Sequence, residues 1–300
     1  MSQKFQSILP ELKERTQNEL VREITEDSEN FIGVPYPFVT PGKQKQDALY
    51  YWDTYFINLG LIRLKLIDLA RHNAENLIFL QRKLGYIPAS NLKAKLETPS
   101  LPLLPWIIRD VYRATGDKDW LNRMLPEVIQ EFNYWTTKPH TTPVGLYRFT
   151  DNAASQADEQ EPCWIRSVRF DAIENYNPVD LNAFLYRNAL LIHDLQVEVD
   201  GHGDNAFVQK SDHIKKMFDV FWDNDTAFYY DNNFAEKQLG TIKSLAGYVP
   251  LFVKMVKGGK AANLQQHIKD FMAPGGITIT AKESAKNSKL GYPLCCAPYV

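Results

Sequence analysis

The stretch YYWDTYFINLGLI, residues 50–62, decides the fold. Within it Trp52, Tyr55, Phe56, Leu59 and Ile62 recur at three- and four-residue spacing, which lines one face of a helix instead of alternating across a strand. The same period continues outward. Leu77, Phe79, Leu80 and Leu84 belong to a second amphipathic segment; Ile107, Ile108, Val111 and Tyr112 form a third, stopped by Gly116. Asp117 offers an N-cap to a short helix carrying Trp120, Leu121 and Met124. Pro126 suits the first turn of a new helix better than an interior position, and Val128, Ile129, Phe132 and Trp135 then share a stripe. Residues 178–199 open with Pro178 and carry an almost continuous apolar face. Residues 205–222 and 239–272 read as further amphipathic helices, broken by Gly258-Gly259. Only Phe228 to Phe234 reads as strand, a short aromatic ribbon turning near Asn232-Asn233. Helices joined by alternately short and long loops predict an all-α ring of helical hairpins, in preference to a four-helix bundle. No self-similarity at a fixed period supports a repeat array.

Composition narrows the functional classes. The 300 residues are 44% apolar and 23% charged, ordinary for a globular protein. With 34 basic and 36 acidic residues the net charge is −2, so there is no electrostatic case for nucleic acid or an anionic membrane surface. No apolar run reaches the ~20 residues that span a bilayer, and the first twenty residues lack a signal-peptide core. Three cysteines, two of them adjacent at Cys295 and Cys296, make a poor disulfide framework; a cytoplasmic protein is expected. Metal or nucleotide chemistry has no motif. The six histidines show no H-E-x-x-H spacing, Asp200-Gly-His-Gly-Asp204 reads as a solvated turn, and Asp223-Asn-Asp225 lacks the glycine and glutamate of a calcium loop.

Three segments combine aromatic, acidic and proline residues where helical logic breaks. In the first, Pro35 to Asp53, an aromatic–acid pair, Trp52-Asp53, feeds into a helix start. Asp53 there can simply favour the positive helix N-terminus. Alternatively, Trp52 can stack on the apolar face of a sugar ring while Asp53 accepts hydroxyl hydrogen bonds.

YYWDTYF at 50–56, behind PYPFVTPG at 35–42, resembles the signature of the trehalase family of glycoside hydrolases. NPVDLNAFLY at 177–186 is similar to the family's PVDLN helix, FWDNDTAFYYD at 221–231 to its helix-to-ribbon turn, and GGI at 275–277 to its last recognisable loop. The resemblance runs from about residue 30 to residue 300. It implies an (α/α)6 toroid over residues 31–300 behind an N-terminal helix at 1–30. It also implies inverting hydrolysis of α,α-trehalose or a related α-glucoside, with a small sugar as the partner and no cofactor or metal.

Carried over residue by residue, the resemblance assigns substrate contact to Trp52 and Asp53, to Asn91 (the asparagine of the PNGN loop), and to Trp164 and Arg169. Elsewhere the pocket departs from the family. The arginine expected before Trp52 is missing from Gln46-Asp47-Ala48. The RSQPP motif has become Thr98-Pro99-Ser100-Leu101-Pro102, and the Arg-Pro-Glu clamp has no counterpart in 151–161. The ESGWDFSSRW-like motif that carries the general acid aligns with Glu161 to Phe170, which puts Ile165 at the acid. The QQWDYPNGWAP-like loop aligns with Ser288 to Pro298, and the general base would lie beyond Val300. Inverting hydrolysis needs two carboxyls about 6.5–9.5 Å apart, and an isoleucine supplies none. Asp171, Glu161 or Glu174 would substitute only if the backbone shifted; Asp171, the candidate catalytic residue, stands six residues from Ile165, too far for a direct swap. Very weak or absent turnover is therefore expected, the alternative being a non-catalytic carbohydrate-binding or scaffold protein. Arg166, Arg169, Lys93 and Lys95 leave room for an anionic sugar. Missing C-terminal hairpins would expose an apolar seam and favour self-association through the open end of the toroid.

Overall fold

A computed structural model describes residues 3–42, 47–96, 100–150, 172–274 and 276–285. They are predominantly α-helical, with a few two-residue strands, and form two compact units. The first comprises residues 1–134 and 191–203, the second residues 135–190 and 204–300.

In the first unit α1 (Gln3–Arg15) leads through an irregular turn to β1 (Val21–Arg22), paired antiparallel with β2 (Phe38–Val39). Three helices follow, α2 (Tyr51–Arg63), α3 (Ile67–Leu84) and α4 (Leu104–Thr115), each packed on the other two. Gly116 closes α4 at φ +68°, a left-handed conformation that glycine adopts without a Cβ penalty. In α2 the aromatic stripe expected from the sequence is not the deepest face. Trp52 and Phe56 are half-buried and Leu59 is exposed, whereas Tyr51, Thr54, Tyr55, Asn58 and Leu61 are buried. A polar group survives on that inner face because it is fully bonded. Val39 N–H donates to Asn73 Oδ1 (3.1 Å), Asn73 Nδ2 to Asn58 Oδ1 (2.9 Å), and Asn58 Nδ2 to the Ala70 carbonyl (2.9 Å). One turn further along α3, Asn76 exchanges two hydrogen bonds with the backbone of Tyr36. Two asparagines of α3 thereby fasten the PYPFV loop.

Residues 118–136 form one helix, α5 (Lys118–Thr136), not two. Asp117 caps it as expected, accepting from Trp120 N–H at 2.8 Å. Pro126 sits inside. A proline there costs ~3 kcal/mol, but Pro126 is exposed, where water can reach the carbonyl it leaves unpaired. The buried stripe Trp120, Leu121, Met124, Leu125, Val128, Phe132 and Trp135 runs past it unbroken. Burying such side chains contributes about 1.5–3 kcal/mol each, so continuity wins.

α6 (Val179–Asp200), whose residues up to Leu190 belong to the second unit, starts after Pro178. Its first N–H, on Val179, is satisfied from a distance by Asp231 Oδ1 (2.9 Å). After α7 (Asn205–Met217) the expected ribbon is present but its strands pair more widely. β4 (Trp222–Asp223) pairs with β5 (Phe228–Tyr229), while β6 (Asn232–Asn233) is itself a strand between β3 (Tyr176–Asn177) and β7 (Gln238–Leu239). The turns therefore fall at 224–227 and 234–237, not at Asn232-Asn233. The stretch 239–272 holds only short helices, α8 (Val249–Phe252), α9 (Gly259–Gln266) and α10 (Ile268–Phe271). Pro250 and the positive φ of Lys254 (+62°) and Gly258 (+66°) break the longer run. The chain continues into β8 (Met272–Ala273), paired with β9 (Gly276–Ile277), and α11 (Lys282–Ala285).

Phe228 is the hub of this unit, with rings of Tyr230, Tyr248, His267 and Phe271 around it at centroid distances of 5.4–6.1 Å. Gly247 abuts the hub. A Cβ there would lie 2.4 Å from Phe228 Cε1 and 2.5 Å from the Tyr229 carbonyl oxygen. Gly247→Ala is expected to destabilise the second unit by about 1–3 kcal/mol through overpacking. Urea denaturation followed by tyrosine and tryptophan emission measures it; an unchanged midpoint would refute the packing argument.

Among the described residues no helix is long and apolar enough to cross a membrane.

Candidate active site

The candidate site stands at the head of α2, and three anchors fix that helix start. The first is backbone: Tyr51 N–H donates to the Ala89 carbonyl (2.9 Å), and Tyr50 bridges Ser90. The second is Asn91, fully buried. Its Oδ1 accepts from Leu49 N–H (2.9 Å) and its Nδ2 donates to the Ile32 carbonyl (2.9 Å). Its backbone returns both bonds, Asn91 N–H to the Leu49 carbonyl (3.2 Å) and Ile32 N–H to the Asn91 carbonyl (2.8 Å). One asparagine thus ties residue 32 and residue 49 to the loop at 89–92.

The third anchor is Tyr51 itself. Its hydroxyl accepts from Leu103 N–H (2.7 Å) and Leu104 N–H (2.5 Å) and donates to Glu131 Oε1 in a short hydrogen bond. α4 has no capping side chain of its own before Leu104, so a tyrosine from α2 supplies the acceptor that its first N–H groups lack. Glu131 is 2% exposed, and its Oε2 has no hydrogen-bond partner among the described residues. Burial pushes its carboxyl up to about 8, against the opposing pull of the Tyr51 hydroxyl and the Leu104 N–H. Burial thus favours the protonated carboxyl at neutral pH. The Tyr51 phenol lies well above its ordinary value, first through burial and then through the neighbouring glutamate.

On this platform stand Trp52, half-buried, and Asp53, 7% exposed. Asp53 acts on Tyr50, whose phenol is raised by burial and, secondarily, by the Asp53 charge. An aromatic wall continues from Trp52 to Phe56 (5.3 Å), Phe56 to Tyr55 (5.0 Å) and Tyr55 to Trp106 (6.0 Å). Arg109 lies over the Trp106 ring at 4.9 Å and grips Asp110 through two hydrogen bonds of 2.7 and 2.9 Å. A partly open aromatic face with carboxylates beside it suits a ligand that has both apolar ring faces and hydroxyls.

Of the residues singled out from sequence, the structure brings Trp52, Asp53 and Asn91 together in the first unit. Trp164, Arg169, Asp171, Ile165, Glu161, Arg166 and the three cysteines lie outside the described residues. Glu174 is on the half-buried 3-10 turn Ile173–Asn175, where its carbonyl accepts from Arg148. Lys93 is exposed and Lys95 half-buried. Asp223 makes a simple turn, accepting from Asp225 N–H and the Thr226 hydroxyl. No group of three or more His, Cys, Asp or Glu side chains among the described residues is arranged to hold a metal ion. Tyr51 lies inside the YYWDTYF stretch without a role assigned to it there, and Glu131 lies in no motif. Their only shared signal is chemical, a glutamate on an otherwise apolar helical stripe.

The predominantly helical chain has the all-α fold of the (α/α)6 class. The fold matches that of neutral trehalase Nth1 from Saccharomyces cerevisiae with a TM-score of 0.70 at 18% identity, over 92% of this chain and 64% of that one. It also matches a mannosylglycerate hydrolase from Thermus thermophilus with a TM-score of 0.64 at 13% identity, over 95% and 87% of the two chains. In sequence, the chain is 29% identical over 118 residues to a probable trehalase of Oryza sativa subsp. japonica. That alignment spans 39% of this chain and 21% of the rice protein, so the match covers about a fifth of that relative's length. The trehalase family model matches residues 1–164 and 166–293, and the chain belongs to the trehalase family of glycoside hydrolases. Residue 165 is the one position between the two matched segments.

Proposed function

We propose that this chain binds α,α-trehalose or a related α-glucoside through Trp52 and Asp53, joined by Trp164 and Arg169, and hydrolyses it very poorly or not at all. The observation that carries the reading is Ile165. It stands where the resemblance aligns the family's general acid. A general acid is worth roughly 10²–10⁴-fold in rate, and a hydrocarbon cannot protonate a glycosidic oxygen. Asn91 serves this site by holding the loop that delivers Trp52, since both ends of its amide are bonded to backbone. The second reading is a carbohydrate-binding or scaffold protein that kept the sugar platform alone. Cysteine usage supports a cytoplasmic setting.

The test is proton NMR of the purified protein with α,α-trehalose, watching the anomeric region. No glucose is expected over days, with saturable trehalose binding that Trp52→Ala weakens about tenfold or more, as loss of a stacking anchor of roughly 2 kcal/mol does. Early release of equal α- and β-glucose would overturn the proposal. Turnover abolished by Asp171→Asn would identify a relocated acid.

A further inference from the structure

We propose that Glu131 and Tyr51 act together as positioning residues that set the Trp52–Asp53 pair at the head of α2. The inference rests on the reading of that pair as the sugar contact. Tyr51 is the residue immediately before Trp52, and its hydroxyl is the point at which α2, α4 and α5 meet. Two backbone N–H groups at the head of α4, those of Leu103 and Leu104, occupy the acceptor capacity of that oxygen, at 2.7 and 2.5 Å. Its single proton must therefore go to Glu131 Oε1. The arrangement has one hydrogen-bond direction, so the Tyr51 ring is held in one place. Trp52 inherits that constraint through the backbone.

The device is also sensitive to charge. Tyr51 is the titratable group that acts on the Glu131 carboxyl, and the backbone of α4 provides the remaining polar contact. On α5 itself Glu127, one turn earlier, is engaged by Arg82 at 2.8 Å. Among the described residues no cation acts on the Glu131 carboxyl. Once the proton leaves Oε2, the buried charge strengthens its pull on the Tyr51 hydroxyl, the side-chain donor it has, with the Leu104 N–H as the other polar contact, and draws that hydroxyl away from the N–H groups at the head of α4. The carboxyl rises to about 8, so this change falls in an accessible range.

The experiment is fluorine NMR of the full chain labelled with 5-fluorotryptophan, whose six tryptophans give six resonances. The Trp52 signal is the one lost in Trp52→Phe. From pH 6 to pH 9.5 that signal is expected to shift with a single step near 8, while the far-ultraviolet circular dichroism stays flat. Glu131→Gln is expected to abolish the step, and Tyr51→Phe, which removes the bridge without touching the carboxyl, to abolish it too. A step that persists in Glu131→Gln, or the absence of a step in the parent chain, overturns the proposal. Trehalose affinity measured over the same range should fall several-fold through the step in the parent and stay level in Glu131→Gln. A parent that shows the step but binds no trehalose at any pH upholds the coupling and defeats the sugar-site reading instead.

Discussion

Asn91→Ala is expected to cost about 2–5 kcal/mol of stability, a large effect for a change of four heavy atoms to one. The side chain satisfies two buried backbone groups, the Leu49 N–H and the Ile32 carbonyl, at 2.9 Å each. Alanine leaves both without a partner, and each stranded group costs ~1–3 kcal/mol. Water cannot step in, because Asn91 is fully buried and Leu49 beside it is too. Asn91→Asp should be no better. It retains an acceptor for Leu49 but turns a carboxylate oxygen towards the Ile32 carbonyl, placing two acceptors in contact with a charge between them. The measurement is urea denaturation together with hydrogen exchange of the Leu49 amide, which should lose most of its protection in the alanine variant. A loss below about 1 kcal/mol, or unchanged exchange at Leu49, would show that the loop does not depend on this residue.

Asn91 also shows what kind of information the sequence carries. The helices, their caps and the trehalase resemblance are local in the chain. The spacing of Trp52, Tyr55 and Phe56, the glycine stop at Gly116 and the aspartate cap at Asp117 are legible within a few residues of each other. Pro126 reads as a helix start because propensity is local, whereas the stripe from Trp120 to Trp135 that overrides it gains its energy from burial against other elements. The same limit applies to the site. The motif marks Asn91, but its bonds run to Ile32 and Leu49, which no spacing rule connects. Tyr51 and Glu131 are eighty residues apart in the chain, and neither identity alone says that the tyrosine caps one helix and donates to another. The asparagines Asn58, Asn73 and Asn76 belong with them, polar residues at helical core positions whose partners only the fold supplies.

The pH dependence of stability tests the buried carboxyl directly. In the unfolded chain Glu131 titrates near the ordinary glutamate value of 4.5, and in the folded chain burial raises it to about 8. Between these values the native state keeps a proton that the unfolded state has released. Stability therefore falls as pH rises from about 4.5 towards 8 and levels off above, at ~1.36 kcal/mol per pH unit across the window. The aspartates held low by their partners, Asp27 by Lys83 and Asp117 by the Trp120 N–H, have the opposite sign but act at or below their ordinary value of 3.8. His140, lowered by burial, gains stability as pH rises through its ordinary value of 6.5 and partly offsets Glu131 there. A comparison with Glu131→Gln removes that complication, because His140 is common to both chains. The variant loses the titration and retains an acceptor for the Tyr51 hydroxyl. In exchange it buries an amide NH₂ where Oε2 now has no partner, at a pH-independent cost of ~1–3 kcal/mol. The two stability curves are thus expected to cross between about pH 5 and pH 7, the parent more stable on the acid side and the variant on the alkaline side. Parallel curves from pH 5 to pH 8 would mean that Glu131 is already ionised in the folded protein over that range, and that its pairing with Tyr51 carries no pH-sensitive step at the head of α2.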